Sequence, residues 1–246
     1  MKKHECKVID LIDFIAKDAI LVPESAEGLE AIFTASKIDW SNWTTPPSSL
    51  FKRIEADESM LVKRNGGKLV IITENVALKV LCPLTESTVQ ELCEVRQVCK
   101  GQETRRETKY TAVIRKTAKE SHLNALVRCL SEKLRMKTEK IILASVRSDE
   151  GPVQAALRIW KKHRSLKDAF VVFENDTYAE EDTKSLQGLT VERRYWSYKC
   201  VMPVSMPHRL PGFFVIRKTH EDKRKTVFYQ WTLYKCPSHA NLPHLD

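Results

Sequence analysis

The stretch that most limits how this chain can fold runs from residue 109 to residue 174, where short apolar runs alternate with amphipathic segments. A β-branched run at 110–114 precedes a helical pattern, and apolar runs at 140–146 and 170–173 enclose a second one. β-branched runs favour strands, whereas apolar residues three or four apart favour helices. Strands that recur about every 30 residues are typical of βαβ units. The sequence therefore predicts a βαβαβ core.

The segments on either side of this core carry different patterns. Residues 60–81 resemble a β-meander whose first turn is at Asn65-Gly66. Apolar residues at helical spacing precede this meander, and a second such pattern predicts a helix over 87–99 after it. A short acidic helix is expected after Glu174, followed by antiparallel strands over 190–201, 213–218 and 226–235. We predict an α+β fold: a central βαβαβ stretch flanked by an N-terminal helical and β-meander lobe and by C-terminal antiparallel strands.

Charge is distributed unevenly along the chain. Residues 1–95 hold 11 lysines and arginines against 15 acidic residues, whereas residues 96–167 hold 19 against 7. This predicts an acidic lobe over 1–101, a basic lobe over 102–237 and a tail over 238–246, either as two lobes or as one continuous domain. A local excess of positive charge attracts polyanions such as nucleic acid or acidic protein surfaces.

The glycines give little support to nucleotide chemistry. The chain has seven glycines and none of the glycine-rich phosphate loops that let backbone amides approach a nucleotide. No nucleophile is singled out by its neighbours. Whether the protein is an enzyme is therefore uncertain, and the sequence favours a protein that is not one. We expect no cofactor.

The basic residues are the main functional signal. Lysine and arginine contact phosphates, and aromatic side chains among them can stack on bases. We predict a non-enzymatic nucleic-acid-binding protein, with RNA slightly favoured over DNA. The alternative is a protein–protein interaction adaptor whose strand–helix scaffold binds an acidic partner. The predicted contact residues are Arg105, Arg106, Arg128, Arg135, Lys161, Lys162, Arg164, Arg193 and Arg194, with Tyr195 and Trp196 as stacking residues.

The cysteines point to a reducing compartment. Seven cysteines occur with no C-x-x-C pair, which is typical of intracellular proteins rather than of a disulfide framework. No uncharged run is long enough for a membrane helix, so we expect a cytoplasmic or nuclear protein without a membrane partner. Cys236 and His239 have the spacing of one close pair of zinc ligands, but Cys200 and His208 are too far apart in sequence to supply a second close pair, and no metal site is assigned.

Overall fold

A computed structural model describes residues 19–85, 88–99, 101–105, 108–136, 140–183, 186–203, 213–220 and 223–233. Within these ranges the chain forms four α-helices and eleven strands that join in one mixed sheet. This confirms the predicted α+β class. No helix in the part of the chain that the structure describes has the length and apolar character needed to cross a membrane.

The elements follow one another in an order close to the prediction. The helices are α1 (Ala26–Ala35), α2 (Pro47–Glu55), α3 (His122–Arg128) and α4 (Pro152–Lys162); a π-helical turn (Cys129–Lys133) extends α3, and a 3₁₀ turn (Arg164–Leu166) follows α4. The strands are β1 (Ala19–Leu21), β2 (Met60–Lys63), β3 (Leu69–Pro83), β4 (Val89–Cys99), β5 (Gln102–Arg105), β6 (Ala112–Arg115), β7 (Ile141–Ala144), β8 (Phe170–Asp182), β9 (Thr190–Val201), β10 (Phe213–His220) and β11 (Lys223–Leu233).

The main path of the sheet has the order β10-β11-β4-β3-β9-β8-β7, with β2 and β6 also on β3, β1 on β2, and β5 on β4. β7 and β8 are parallel, as their connection through α4 requires, whereas β10, β11 and β4 pair antiparallel. The predicted strand–helix tiling over 109–174 is therefore present as β6-α3-β7-α4-β8. Its first strand pairs with β3 and not with β7.

The chain divides into two compact units that interleave along the sequence. Unit 1 takes the described residues up to 75, together with 115–121 and 178–195; unit 2 takes 76–114, 122–177 and the described residues from 196 onward. This division differs from the lobes over 1–101 and 102–237 that charge suggested, because segments distant in sequence complete each unit.

The core of unit 1 forms around the first two helices. Ser25 caps α1 by accepting a hydrogen bond from the Gly28 backbone amide at 3.0 Å. The helix then buries Phe33, whose ring lies 6.1 Å from that of Trp40 and 5.3 Å from that of Trp43. Trp40 and Trp43 lie in the loop between α1 and α2. Their rings anchor this loop to the core, because burying a large aromatic side chain is favourable.

Unit 2 has helices on both faces of its sheet. Leu126 and Leu130 of the α3 segment share a core cluster with Phe170 and Val172 of β8. Val153 and Trp160 of α4 share another with Val171 and Phe173, the alternate residues of the same strand. Because successive side chains of a strand point to opposite faces, α3 and α4 cover opposite faces of this part of the sheet.

Three local predictions are wrong. Residues 89–99 form strand β4 between β3 and β11, not the helix expected over 87–99, of which 87 lies outside the described residues. The acidic segment after Glu174 continues β8 to Asp182 as a strand. The predicted meander has its second turn at Glu74-Asn75, but β3 runs unbroken through both residues, since Lys116 Nζ lies 2.8 Å from Glu74 Oε2 and the Asn75 amide donates to the Arg194 carbonyl oxygen at 3.3 Å.

The first hairpin of the predicted meander is confirmed. β2 and β3 pair antiparallel, and the turn places Gly66 at φ 88° and Gly67 at φ 81°. Only glycine adopts this left-handed conformation without a steric cost. The Gly67 amide closes the turn by donating to the Arg64 carbonyl oxygen at 3.0 Å.

Candidate nucleic-acid interface

Five basic side chains gather where α4 ends and β8 begins in unit 2. The 3₁₀ turn after α4 reverses the chain, and the Trp160 indole donates to the Ala169 carbonyl oxygen at 3.0 Å to fix the reversal. The Phe170 amide donates to the Lys140 carbonyl oxygen at 3.0 Å, which places the residue before β7 beside the same turn. We call this group the α4 patch; it consists of Lys140, Lys161, Lys162, Arg164 and Lys167.

The cations of the α4 patch are available to a ligand. All five are exposed, and no described carboxylate lies within ion-pair distance of any of them. By contrast, Arg158, a half-buried cation one turn earlier on the helix, binds Glu150 through two nitrogens, at 2.5 and 3.1 Å. Lys161 and Lys162 also lie in the last turn of α4, where the helix dipole favours positive charge. The patch includes Lys140 and Lys167, which the sequence did not single out as contact residues.

The arginines predicted on α3 lie elsewhere. Arg128 is half-buried and is 3.8 Å from Glu132, and Arg135 is exposed with a left-handed backbone at φ 55°. Since α3 and α4 pack on opposite faces of the sheet, these arginines and the α4 patch do not form one continuous groove.

Two more of the predicted arginines are engaged within unit 1. Arg193 lies 2.7 Å from Asp182, and Arg194 lies 2.6 Å from Glu192. The hydrogen bonds and charges of these partners fix both guanidinium groups along β9. Their positive charge is thus largely balanced by carboxylates of the same unit.

The two predicted stacking residues each pack on another ring. Tyr195 stacks on Tyr178 of β8, with ring centroids 4.9 Å apart and planes 15° apart. Trp196 stacks on His122 at 4.1 Å and 25°. One face of each ring is therefore occupied, and neither residue belongs to the α4 patch.

Of the last two predicted contacts, the structure describes only Arg105, the final residue of β5. Arg105 is exposed and sits opposite Arg96 of β4, which itself pairs with Glu103 and covers the Phe228 ring at 3.8 Å. Arg106 lies outside the described residues. Lys161, Lys162 and Arg164 of the predicted set thus lie in the α4 patch, and none of the other described members belongs to it.

The cysteine and histidine ligands weighed for zinc can be placed only in part. Cys200 is fully buried, and burial and the neighbouring Cys129 raise the pKa of its thiol, so it stays protonated at neutral pH. His208, Cys236 and His239 lie outside the described residues. Among the side chains that the structure describes, no three histidine, cysteine or acidic groups come close enough together to hold a metal ion.

Comparison of the chain with models of known protein families, with curated proteins and with solved structures finds no match. The fold and the side-chain geometry are therefore the basis of the functional proposals.

Proposed function

We propose that this protein binds nucleic acid without catalysis and that the α4 patch supplies the contacts to the phosphates, with RNA slightly favoured over DNA. The observation that carries the proposal is that five exposed cations share one end of the unit 2 sheet and have no described ion-pair partner. Cations held this way exchange their counterions for phosphates at little structural cost.

The patch favours backbone contact over sequence readout. Lysine and arginine side chains contribute charge, and no aromatic ring is among the five members. Phosphate contacts position a protein on nucleic acid without reading bases, so binding is expected to tolerate changes of sequence.

The salt dependence of binding tests the proposal. The logarithm of the association constant for a single-stranded RNA is expected to fall with the logarithm of salt concentration, by about 0.7 per phosphate neutralised. With three to five contacts the slope is about −2 to −3.5. Fluorescence anisotropy over a range of potassium chloride concentrations measures it for RNA and DNA of the same sequence.

A pair of charge-matched triple variants locates the contacts. K161Q, K162Q and R164Q together are expected to make the slope shallower by about two units and to weaken binding at least tenfold at low salt. K52Q, K63Q and K68Q together remove the same charge from exposed positions of unit 1 and are expected to leave the slope unchanged. Equal losses in both triples, or a flat salt dependence in the wild type, would refute the proposal. Retention of an acidic protein instead of RNA would favour the adaptor role.

A further inference from the structure

Unit 1 contains a second cationic feature, a cavity of about 240 Å³. Its walls come from α2, β3, the end of β6 and β9, together with loop residues such as Thr44 and Leu186. The volume is below the roughly 300–1,000 Å³ of pockets that hold drug-sized ligands. A water molecule occupies about 30 Å³ in the liquid, so the cavity has room for a small ion with some of its waters, or for a small molecule.

Three guanidinium groups from different elements line this cavity. Arg53 comes from α2, Arg115 from the end of β6 and Arg193 from β9. Thr73 and Asn75, on alternate positions of β3, add a hydroxyl and an amide to the wall. Each guanidinium carries up to five N–H donors in a planar fork that suits oxyanions.

The apolar part of the wall belongs to the core of unit 1. Leu50, Ile71, Leu186 and Val191 line the cavity and are all buried in one hydrophobic cluster. A wall of this kind lowers the local dielectric constant and strengthens the interaction of the arginines with an anion.

Arg53 is the residue that distinguishes this cavity from an ordinary ion-pair network. Its Nη2 donates to the Ser59 hydroxyl at 3.1 Å, but its Nε is buried and meets no hydrogen-bond acceptor among the described residues. A buried donor without an acceptor costs free energy, which a ligand oxygen would recover. Burial and the charge of Arg115 lower the pKa of Arg53 to about 10, with Glu58 opposing and Arg193 adding to the effect. Arg53 therefore remains charged at neutral pH.

The other two arginines bring carboxylates with them. Arg115 lies 2.9 Å from Glu58 and Arg193 lies 2.7 Å from Asp182. These five groups together carry one net positive charge, which favours an anion in the cavity. Arg115 and Arg193 thus contribute potential and shape, and the proposal relies on Arg53 for the direct bond.

We propose that this cavity is a phosphate-binding site, which takes inorganic phosphate or the phosphoryl group of a small molecule. Guanidinium groups from three different elements match the several acceptor oxygens of a tetrahedral phosphate better than the two of a carboxylate. The described residues that line the cavity include no cysteine, histidine or carboxylate side chain, so binding is the role that they support. The site shares no residue with the α4 patch and does not depend on nucleic-acid binding.

Titration of the full chain with inorganic phosphate tests the proposal, with potassium chloride at the same ionic strength as the reference. We expect phosphate to raise the Tm and to give a saturable calorimetric isotherm, because a ligand that binds only the folded state stabilises it. Phenyl phosphate as a second probe distinguishes a site for free phosphate from one that accepts a phosphomonoester. Potassium acetate at matched ionic strength is the carboxylate control.

Arg53 and its neighbour on α2, Lys52, allow two variants that remove the same charge. R53Q is expected to weaken phosphate binding about tenfold or more, because a charge-assisted bond is lost. K52Q removes the same charge from an exposed position and is expected to change the affinity less than about twofold. R53K keeps the charge without the planar fork, so an intermediate affinity is expected, and this variant decides the matter if R53Q does not fold.

Several results would overturn the assignment. One is a wild-type chain whose Tm and calorimetric heat respond equally to phosphate and to chloride. Another is equal phosphate affinity of the wild type, R53K and any folded R53Q. A third is acetate binding as tight as phosphate binding. Binding that K161Q, K162Q and R164Q abolish would place the phosphate on the α4 patch and would also overturn the proposal.

Discussion

At the scale of single residues, Glu192 is a buried carboxylate of unit 1 with two arginine partners. It is almost fully buried, it accepts a hydrogen bond from Arg194 at 2.6 Å, and Arg64 donates to its other oxygen. Burial alone would raise its pKa, but the hydrogen bonds and charges of Arg194 and Arg64 outweigh burial and lower the pKa below 4.5. The folded state therefore binds this proton less readily than the unfolded state.

This shift predicts acid sensitivity. Glu192 stabilises the fold fully above its unfolded pKa near 4.5, and that contribution is lost as the pH falls through the lowered folded value. E192Q is expected to reduce the free energy of unfolding at pH 7 by about 2 to 3 kcal/mol, because two part-buried arginines lose their shared charge partner. Urea unfolding between about pH 6 and pH 3 measures both effects.

An exposed carboxylate on the preceding strand provides the control. E180Q is expected to change the free energy of unfolding by less than about 0.5 kcal/mol at any of these pH values. E192Q is also expected to flatten the loss of stability below pH 4.5. An acid dependence as steep in E192Q as in the wild type would contradict this account of the Glu192 pKa.

The sequence indicated some of these residues and missed others for a clear reason. The basic run around Arg193 indicates a role for that residue, whereas Arg53 lies in the acidic part of the chain and no cluster of positive charge marks it. Arg53 is three residues after the buried Leu50, so it lies on the inward side of α2. A cation on the apolar side of a helix is the signal that could have found it.

At the scale of elements, the two helices of the central stretch set the limits of the proposed interface. β8 sends Phe170 and Val172 to the α3 side and Val171 and Phe173 to the α4 side. The two basic groups that lie close together in sequence are thus separated by the thickness of a sheet.

This separation makes a testable distinction. R128Q and R135Q together are expected to change the affinity for a short single-stranded RNA by less than about twofold, since a short strand on the α4 patch does not reach the other face. The measurement is fluorescence anisotropy at low salt, beside the triple variant of Lys161, Lys162 and Arg164. A loss as large as that of the triple variant would mean that RNA contacts both faces.

Pattern predicted the central elements well and β4 poorly. Apolar residues of β4 recur at helical spacing, as in Leu92, Val95 and Val98, yet the segment pairs with β3 on one side and β11 on the other. Long-range pairing overrides local preference here. The pairing of β6 with β3 could not be predicted either, because no local pattern in the sequence indicates which distant strand lies beside a given strand.

At the scale of the whole molecule, the units are assembled from separated segments of the chain. Unit 1 needs 115–121 and 178–195 in addition to its N-terminal part. Those segments supply Glu192, the partner of Arg64, and Lys116, the partner of Glu74. An N-terminal fragment therefore lacks a part of its own core.

We expect a fragment of residues 1–101, the acidic lobe suggested by charge, not to fold on its own. It would leave Arg64 and Glu74 without these partners and would expose Leu61 and Ile71, which share a cluster with Leu189 and Val191. Circular dichroism during urea titration is expected to show no cooperative transition, whereas the full chain shows one. Cooperative unfolding of the fragment would show that the predicted lobe is a domain.

The interleaving of the units along the sequence also limits how the fold can evolve. β3, β6, β8 and β9 each contribute residues to both units, so four of the five boundaries between the units fall inside a strand, and the fifth lies at the start of α3. Gene rearrangements transfer contiguous segments, and no contiguous segment of this sequence contains one whole unit without part of the other. Relatives of this protein are therefore expected to carry both units or neither, and the fold is expected to have diversified by substitution rather than by exchange of domains.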